Sequence, residues 1–337
     1  MKKISWFVAA VALFCISGVA FGATRDEVQK RGYLQCGVST GLPGFSSPDN
    51  KGNWTGLDTD ICRAVAAAVL GDAKKVKFIP LTAMERFTPL LAGEVDMLSR
   101  NTSWTFTRDS SLGLNFAGVS YYDGQGFMVL RKRGITNITD LAGATICVQS
   151  GTTKEHDLAD YFRQNKMEYR PLLFDTPDQA IKGFETGRCD AITSGRSQLY
   201  GLAAKLAVPT EADVLPEVIA NEPLGPVVRQ GDDAWFNIVK WSLFAMINGE
   251  ELGVSSANIE SMRGTDSEAI KRLLGVVGIK GQGLGLADDW AYRIIKQVGN
   301  YGEVFERNLG EDSPLKIDRG LNRLWSKGGI VYAPPIR

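Results

Sequence analysis

The sequence contains a single histidine, His156, and its cysteines form no Cys-x-x-Cys pair. Structural zinc sites are built from cysteine and histidine ligands at short spacing. A lone histidine without partners indicates a solvated or hydrogen-bonded surface residue, not a metal ligand or a catalytic base. We therefore expect neither a metal ion nor any other cofactor.

The sequence also lacks an excess of charge of either sign. Its 38 lysines and arginines are balanced by 38 aspartates and glutamates, and the basic residues are dispersed among the acidic ones. Proteins that bind DNA or RNA usually carry a basic patch that replaces the counterions of the phosphates. Nucleic acid is therefore not expected as a partner.

Beyond its N-terminus the chain has no long apolar run. The first 22 residues combine Lys2 and Lys3 with an uncharged, mostly apolar stretch at 4–21, followed by small residues. This order is typical of a cleaved signal peptide. The alternative, a membrane-spanning helix, needs about 20 apolar residues and usually a charged stop. We predict export to the periplasm, without a lipid anchor at Cys15 because bulky Phe14 precedes it.

Four cysteines remain after removal of the signal peptide: Cys36, Cys62, Cys147 and Cys189. An even number in an oxidising compartment favours disulfides. The positions suggest Cys36 with Cys62 and Cys147 with Cys189, one bridge in each half of the chain. The alternative is four small buried apolar residues, because free cysteine packs well in protein cores.

Short apolar runs alternate with helical patterns, which is typical of parallel sheets with crossover helices. The first series predicts strands at 34–38, 76–81 and 95–98 and helices at 58–70 and 83–91. The second predicts strands at 144–148, 169–174 and 189–193 and helices at 153–162 and 177–184. The two series share a local phrase, LAGEVDMLS at 91–99 and ETGRCDAIT at 185–193. We therefore expect an α/β protein with two similar lobes.

Two segments are candidates for the connections between the lobes. Residues 121–127 carry two glycines, and residues 221–227 are rich in proline and glycine. The chain would leave the first lobe, build the second and return. The predicted division is 23–122 with 225–337 for lobe 1 and 123–224 for lobe 2. Further helices, covering lobe 1 and the hinge side, are predicted at 232–248, 255–262 and 288–297.

Ligands of open α/β sheets bind beyond the carboxyl ends of the strands. The loops that follow the predicted strands are therefore expected to converge on a cleft between the lobes. These loops are 39–53, 99–108, 150–153 and 193–196.

Several phrases carry a resemblance to a known family. They are CGVSTGLPGFSSPDNKGNWTGLDTDICRAVAAAV, SRNTSWTFTRDSSLGLNFAGVSYYDGQGFMV, ICVQSGTTKE and EPLGPVVRQGDDAWFNIV. With them the chain resembles the periplasmic amino-acid-binding proteins, family 3 of the bacterial solute-binding proteins, and in particular the general L-amino-acid receptors. The resemblance implies a two-lobed, type II periplasmic binding protein. Each lobe would be a mostly parallel sheet flanked by helices, with the ligand cleft between the lobes.

The resemblance assigns the ligand carboxylate to Arg108, with Asn101 and Ser103 as further partners. A guanidinium suits this role because its planar fork meets both carboxylate oxygens, which lysine cannot copy. The alternative for Arg108 is a surface ion pair with Asp109. Arg100 stands where many relatives have a small residue, and both an inward and an outward orientation stay open.

The segment from Ser150 to Thr153 follows a strand and opens a helix, so its free backbone N–H groups lie at the positive end of that helix. The resemblance assigns the N–H of Thr153 to the ligand carboxylate, opposite Arg108. An anion held by both lobes would favour closure, because only the shut form makes both sets of contacts. A helix start without any ligand explains the same pattern.

For the ligand ammonium the family has an aspartate where this sequence has Gly195, and a second acidic contact where it has Ser39. A buried ammonium without a carboxylate costs several kcal/mol unless other acceptors surround it. The remaining acceptors are the Ser39 hydroxyl, the Asn101 carbonyl, Asp123 and Glu222. The missing aspartate leaves three alternatives: the ligand is bound more weakly, its amine is held by other groups, or the ligand belongs to another class. Restoring the carboxylate with Gly195→Asp is expected to tighten binding of α-amino acids.

The side-chain wall is expected to include apolar residues of the first cleft loop. Leu42 and Leu57 match contact positions of the family, and Phe45 and Trp54 lie in or beside the same loop. Lys154, one residue after the Ser-Gly-Thr-Thr phrase, is most simply solvated, and the alternative is contact with the side-chain end of a ligand.

The function implied by the resemblance is capture of amino acids in the periplasm for an ABC importer. The partners would be a small amino acid and an inner-membrane permease, and the protein would be a monomer. The alternatives are a periplasmic dehydratase or lyase on the same fold and a sensory ligand-binding receptor. We find no nucleophile and base in a recognisable arrangement, which disfavours the enzyme.

Overall fold

The computed structural model describes residues 24–278 and 281–337. The predicted signal peptide lies outside the described residues. Within these ranges no helix is long and apolar enough to cross a membrane. The described chain forms two sheet-based lobes, as the sequence pattern predicted.

Helices and strands alternate along most of the chain. The helices are α1 (Thr24–Arg31), α2 (Leu57–Leu70), α3 (Phe87–Ala92), α4 (Phe106–Ser111), α5 (Thr153–Gln164), α6 (Pro177–Glu185), α7 (Arg196–Ala203), α8 (Asp233–Glu251), α9 (Ile259–Met262), α10 (Glu268–Leu273), α11 (Trp290–Gln297) and α12 (Tyr301–Asn308). The strands are β1 (Leu34–Val38), β2 (Ser47–Pro48), β3 (Trp54–Thr55), β4 (Val76–Pro80), β5 (Met97–Leu98), β6 (Leu114–Phe116), β7 (Tyr121–Leu130), β8 (Thr145–Gln149), β9 (Arg170–Phe174), β10 (Ala191–Gly195), β11 (Ala212–Val214), β12 (Ala220–Leu224) and β13 (Val227–Arg229).

Lobe 1 is built on a sheet with the strand order β4-β1-β5-β13-β6. β1 pairs in parallel with β4 and β5, as a βαβ pattern requires. β13 runs antiparallel to β5 and β6. Four of the five residues of β1 are buried, as expected for a central strand that is covered on both faces.

Lobe 2 repeats this plan with the order β11-β7-β10-β8-β9, and β12 also pairs with β7. β8 is parallel to β9 and β10, whereas β7 is antiparallel to β10, β11 and β12. Both sheets are therefore mixed. They are parallel over the βαβ units and antiparallel where the strands that carry the chain between the lobes join.

The chain passes between the lobes at 117–120 and 225–226. The two crossings lie side by side, and the amide of Ala117 donates to the carbonyl of Pro226 over 2.9 Å. A β-carbon at Gly225 would lie 2.0 Å from the carbonyl oxygen of Gly118. Glycine is therefore required where the two crossings touch.

The prediction of a crossing at 121–127 is wrong, because these residues form the first part of β7. Their glycines serve close packing instead: a β-carbon at Gly124 would lie 2.5 Å from the side chain of Val218. The sheet of lobe 2 consequently begins at Tyr121, two residues before the predicted boundary.

The C-terminal helices cover lobe 1, where α8 and α11 pack on α2. They also reach the hinge, because the Tyr301 hydroxyl donates to the carbonyl of Ser120 over 2.9 Å. Asn322 accepts from the amide of Tyr122 and donates to its carbonyl, at 2.7 and 3.0 Å. The C-terminal region therefore braces the first crossing.

The helix predicted at 83–91 is shorter in the structure, where α3 begins at Phe87. The preceding residues form a turn in which Thr82 and Glu85 exchange hydrogen bonds between amide and side chain. Arg86 stands at the N-terminal boundary of α3 as a result. This places its guanidinium at the edge of the interlobe space.

The structure joins Cys36 to Cys62 and Cys147 to Cys189, the pairs that the sequence positions suggested. The first bond ties β1 to α2 in lobe 1. The second ties β8 to the segment before β10 in lobe 2. All four cysteines are buried.

Candidate functional site

A small cavity lies between the lobes at the carboxyl ends of the parallel strands. It leaves a space of about 10 Å³, roughly enough for one water molecule. The lobes therefore stand in a closed arrangement. Its lining residues are Arg86, Arg100, Asn101, Ser103 and Arg108 from lobe 1 and Gln149, Thr152, Thr153, Lys154, Thr193, Ser194 and Gln198 from lobe 2.

Arg108 enters the cavity from α4, whose first turn is capped by the Thr105 hydroxyl. Its guanidinium is nine-tenths buried and donates to the carbonyl of Ser103 over 2.9 Å. It also lies 5.5 Å from the centre of the Phe87 ring. A guanidinium has five N–H donors, so most of its fork stays available. The alternative for Arg108, a surface ion pair with Asp109, is absent among the described residues, and the Arg108 side chain is buried instead.

Two further arginines line the same wall of lobe 1. Arg100 is buried and donates from Nε to the carbonyl of Leu81 over 3.0 Å. Within the described residues, its Nη2 and the Nε of buried Arg86 have no hydrogen-bond partner. Burial lowers the pKa of Arg100 to about 10, and it lowers the pKa of Arg86 well below its usual range, next to the charges of Arg100 and Arg108. Of the two orientations that the sequence left open for Arg100, the structure shows the inward one.

Glu222 is the buried anion beside this cluster, contributed by β12. It accepts hydrogen bonds of 2.6 Å from the hydroxyls of Ser103 and Thr153, which belong to different lobes. It also accepts from the Nζ of Lys154. Burial raises the pKa of the Glu222 carboxyl, but the Lys154 charge and these hydrogen bonds outweigh it, and the net pKa is lowered.

Lys154 was predicted to be solvated, and this prediction is wrong. Its side chain is only 5% exposed and forms an ion pair with Glu222. The reason is the position of α5: Lys154 lies in the first turn of this helix, whose N-terminus points into the cavity. A lysine at this position lies next to the Glu222 carboxylate, which β12 contributes.

The N-terminus of α5 faces the cavity through Gln149, Thr152 and Thr153. The turn before the helix uses Gly151 at φ 71°, and the Thr152 hydroxyl donates to the Gln149 carbonyl over 2.7 Å. Ser150 does not line the cavity. Its amide instead extends the sheet by donating to the carbonyl of Phe174 over 2.9 Å.

Gly195 ends β10 and does not line the cavity either. A β-carbon there would lie 2.4 Å from the Oδ2 of Asp123 and 3.0 Å from the Nε2 of Gln198. Asp123 accepts from the Ser197 hydroxyl and from the Gly124 amide, the latter over 2.9 Å. The carboxylate of Asp123 therefore fills the space into which a side chain at 195 would extend.

The other predicted residues of lobe 1 also lie outside the cavity lining. Leu42 and Leu57 are buried in the core of lobe 1, and Ser39 is buried with its hydroxyl unpartnered among the described residues. The loop at 39–53 folds down onto this core because Leu42 pairs with Ser46 in a short bridge. It meets lobe 2 elsewhere, where Lys205 donates to the carbonyl of Gly41 over 2.7 Å.

The structure thus brings together Arg108, Ser103, Asn101 and Thr153, and it separates them from the remaining predicted residues. Sequence reasoning missed Arg86 and Gln198, which no motif marks. Lys154 could have been found from its place in the first turn of a helix that faces the cleft. Among residues 24–278 and 281–337 no cluster of three or more histidine, cysteine or acidic side chains could hold a metal ion.

Known proteins similar to this chain over most or all of its length include two curated relatives and one solved structure. The general L-amino acid-binding periplasmic protein AapJ of Rhizobium johnstonii is 52% identical over 100% of this chain and 99% of its own length. The glutamate/glutamine/aspartate/asparagine-binding protein BztA of Rhodobacter capsulatus is 47% identical over 100% of both chains. A solved periplasmic binding protein of an ABC transporter from Brucella ovis, with glutathione bound, is 55% identical with a TM-score of 0.92 and covers 94% of this chain and 100% of its own.

The family pattern of the bacterial extracellular solute-binding proteins, family 3, matches residues 34–256. This range includes both sheets and every residue that lines the cavity. The two-lobed fold and the full-length similarities agree with it. The chain therefore belongs to the bacterial extracellular solute-binding proteins, family 3.

Proposed function

We propose that this protein is the substrate-binding component of an ABC importer and captures amino acids in the periplasm. One observation carries the proposal: Arg108 from lobe 1 and the N-terminal residues of α5 from lobe 2 line the same closed cavity between the lobes. Both groups favour an anion. The guanidinium does so by its positive charge and its planar set of N–H donors, and the helix N-terminus does so by its dipole and its free backbone N–H groups. A ligand carboxylate between them would link the two lobes.

The ligand that fits best carries a second acidic group. Arg86 and Arg100 add two buried positive charges with unpartnered donors to the site of Arg108. Such charges are costly to bury unless an anion compensates them. One α-carboxylate does not serve three guanidinium groups, whereas a dicarboxylic amino acid or a γ-glutamyl compound does. BztA is named as a binding protein for glutamate, glutamine, aspartate and asparagine, and the Brucella protein was solved with glutathione bound.

Entry of the ligand requires the lobes to part, because the closed cavity has about 10 Å³ of free space. In the proposed cycle, the ligand binds first to Arg108 of the open form. Lobe 2 then turns about the crossings at 117–120 and 225–226, and the shut, monomeric form docks on a membrane permease. No catalytic step is part of this cycle.

The experiment is a calorimetric titration of the mature chain with the twenty amino acids and glutathione. We expect saturable one-to-one binding, with a higher affinity for glutamate or aspartate than for the neutral amino acids. Micromolar affinity corresponds to about −8 kcal/mol. Arg108→Lys keeps the charge but not the fork and should weaken binding at least about 100-fold.

Arg163→Lys, at an exposed arginine of α5, is the matched control for this substitution. It should leave the affinity unchanged. Wild-type protein that binds no amino acid, or Arg108→Lys with wild-type affinity, would contradict the proposal. Turnover of the ligand instead of stoichiometric binding would favour the dehydratase or lyase alternative.

A further inference from the structure

We infer that Glu222 accepts the α-ammonium group of the ligand, and that the ammonium of Lys154 holds this position while no ligand is bound. The inference rests on the proposed function and extends it to the group that the sequence left without an anchor. It explains how the site works with glycine at position 195.

The surroundings of the Lys154 ammonium are those that an α-ammonium needs. Nζ donates to the Glu222 carboxylate and lies 3.4 Å from the hydroxyl of Ser103. One acceptor belongs to lobe 2 and the other to lobe 1. A ligand ammonium at the same place would therefore be held by both lobes, like the carboxylate in the proposed function.

The site of the Lys154 ammonium, next to Glu222, is also linked to Arg108 through Ser103. Ser103 accepts from the Arg108 guanidinium at its carbonyl, over 2.9 Å, and donates from its hydroxyl to Glu222 over 2.6 Å. Ser103 thus contacts both the Arg108 guanidinium and the Glu222 carboxylate. An α-amino acid carries its carboxylate and its ammonium on one carbon atom, so both groups can reach these partners together.

The other buried carboxylates are less suitable. Asp123 already accepts from Ser197 and Gly124 and lies outside the cavity lining. Asp58 accepts from the hydroxyl of Ser99 over 3.1 Å and from the amide of Asn101 over 2.8 Å. Both are committed to lobe-internal contacts, whereas Glu222 connects the lobes.

A charge argument supports displacement of Lys154 by the ligand. Glu222 is 1% exposed, and a buried carboxylate without a cation is strongly unfavourable. Lys154 supplies that cation in the structure. The ligand ammonium can take over the same role, so that Lys154 is released without leaving Glu222 unpaired.

The first test compares glutamate with 2-hydroxyglutarate, in which a hydroxyl replaces the ammonium. Wild-type protein should prefer glutamate at least about 30-fold, the range expected for a buried charge pair. Glu222→Gln should reduce this preference to within about threefold, chiefly by weaker glutamate binding. Asp123→Asn, a second buried carboxylate beside the crossing, is the matched control and should keep the full preference.

The second test uses Lys154→Met, which removes the competing ammonium. Glutamate should bind several-fold more tightly to this variant, whereas a purely structural role of the ion pair predicts weaker binding. Thermal unfolding of each variant shows that it is folded. A Glu222→Gln variant that keeps the preference, or a Lys154→Met variant with unchanged or weaker binding, overturns the inference.

The outcomes separate the inference from the proposed function. If wild-type protein binds no amino acid, the proposed function fails and the inference falls with it. If it binds glutamate and 2-hydroxyglutarate equally well, an acid-binding receptor stays supported, but the ammonium site at Glu222 is refuted.

Discussion

Asp123 determines what position 195 can accept. Its Oδ2 lies 2.4 Å from where a β-carbon of residue 195 would be. Burial raises the pKa of Asp123 above its usual range, and a second carboxylate beside it would add repulsion. The sequence alone suggested that Gly195→Asp would tighten ligand binding; the structure reverses this expectation.

We therefore predict that Gly195→Asp destabilises the protein and does not tighten binding. Overlap of the new side chain with Asp123 and the pairing of two buried carboxylates should lower the free energy of unfolding by about 2–4 kcal/mol. Urea unfolding and calorimetry measure the two effects. Gly283→Asp is the control for the loss of glycine alone, because this glycine has no positive φ and an added β-carbon would meet nothing within 4 Å. A stable Gly195→Asp protein with tighter glutamate binding would contradict this prediction.

Asp58 predicts a pH dependence of stability. Burial raises its pKa to about 7, against hydrogen bonds from the Asn101 amide and the Ser99 hydroxyl, while the unfolded chain has the ordinary value of 3.8. Between these values the folded protein binds more protons than the unfolded chain. The contribution of Asp58 to the free energy of unfolding therefore falls as the pH rises, by about 1.4 kcal/mol per pH unit.

Asp58→Asn keeps the shape of the side chain and removes this titration. Relative to wild type, the variant should gain about 3 kcal/mol of stability between pH 4.5 and pH 7. Urea unfolding of both proteins at the two pH values measures the difference. A constant difference would show that Asp58 has similar pKa values in the folded and unfolded states.

At the level of elements, the βαβ units are the part that the sequence predicts best. The bounds of β1 agree with the predicted strand at 34–38, and α5 begins at the predicted residue, Thr153. Local periodicity and turn residues determine these elements. β7 was missed because its ten residues mix glycine and polar residues, and its partners β10, β11 and β12 come later in the chain.

The bond between Cys147 and Cys189 connects two such elements, β8 and the segment before β10, across 42 residues. We expect the double substitution of both cysteines by alanine to lower the free energy of unfolding of lobe 2 by about 2–4 kcal/mol, because it removes a constraint on the unfolded chain. Urea unfolding under oxidising conditions measures this loss. Wild-type protein in reductant is the control and should approach the variant; identical midpoints of variant and oxidised wild type would contradict the expectation.

At the scale of the whole molecule, ligand affinity depends on contacts that exist only when the lobes are closed. Lys205 of lobe 2 donates to the carbonyl of Gly41 in lobe 1 over 2.7 Å, away from the cavity. We predict that Lys205→Met weakens ligand binding by about two- to fivefold, the value of one partly exposed hydrogen bond. Calorimetry with the tightest amino acid measures the change.

Lys182→Met is the matched control for this prediction, because Lys182 pairs with Glu185 inside lobe 2. It should not alter the affinity. Equal effects of the two substitutions would show that Lys205 acts through lobe 2 alone. No effect at Lys205 would show that its contact with Gly41 contributes nothing to closure.

The sequence by itself determined the two α/β lobes, the pairing suggested for the cysteines and the placement of Arg108, Ser103 and Thr153 near the cleft. The two lobes and the loops that carry these residues follow from short-range patterns: apolar periodicity, helix starts and polar residues directly after strands. The cysteine pairing followed from the position of one pair in each half of the chain, and the binding roles followed from the family resemblance. Only the tertiary structure decided that Lys154 pairs with Glu222, 68 residues away, and that Asp123 fills the space beside Gly195. Such contacts between elements that are distant in the chain depend on how the two lobes close, and no local pattern encodes them.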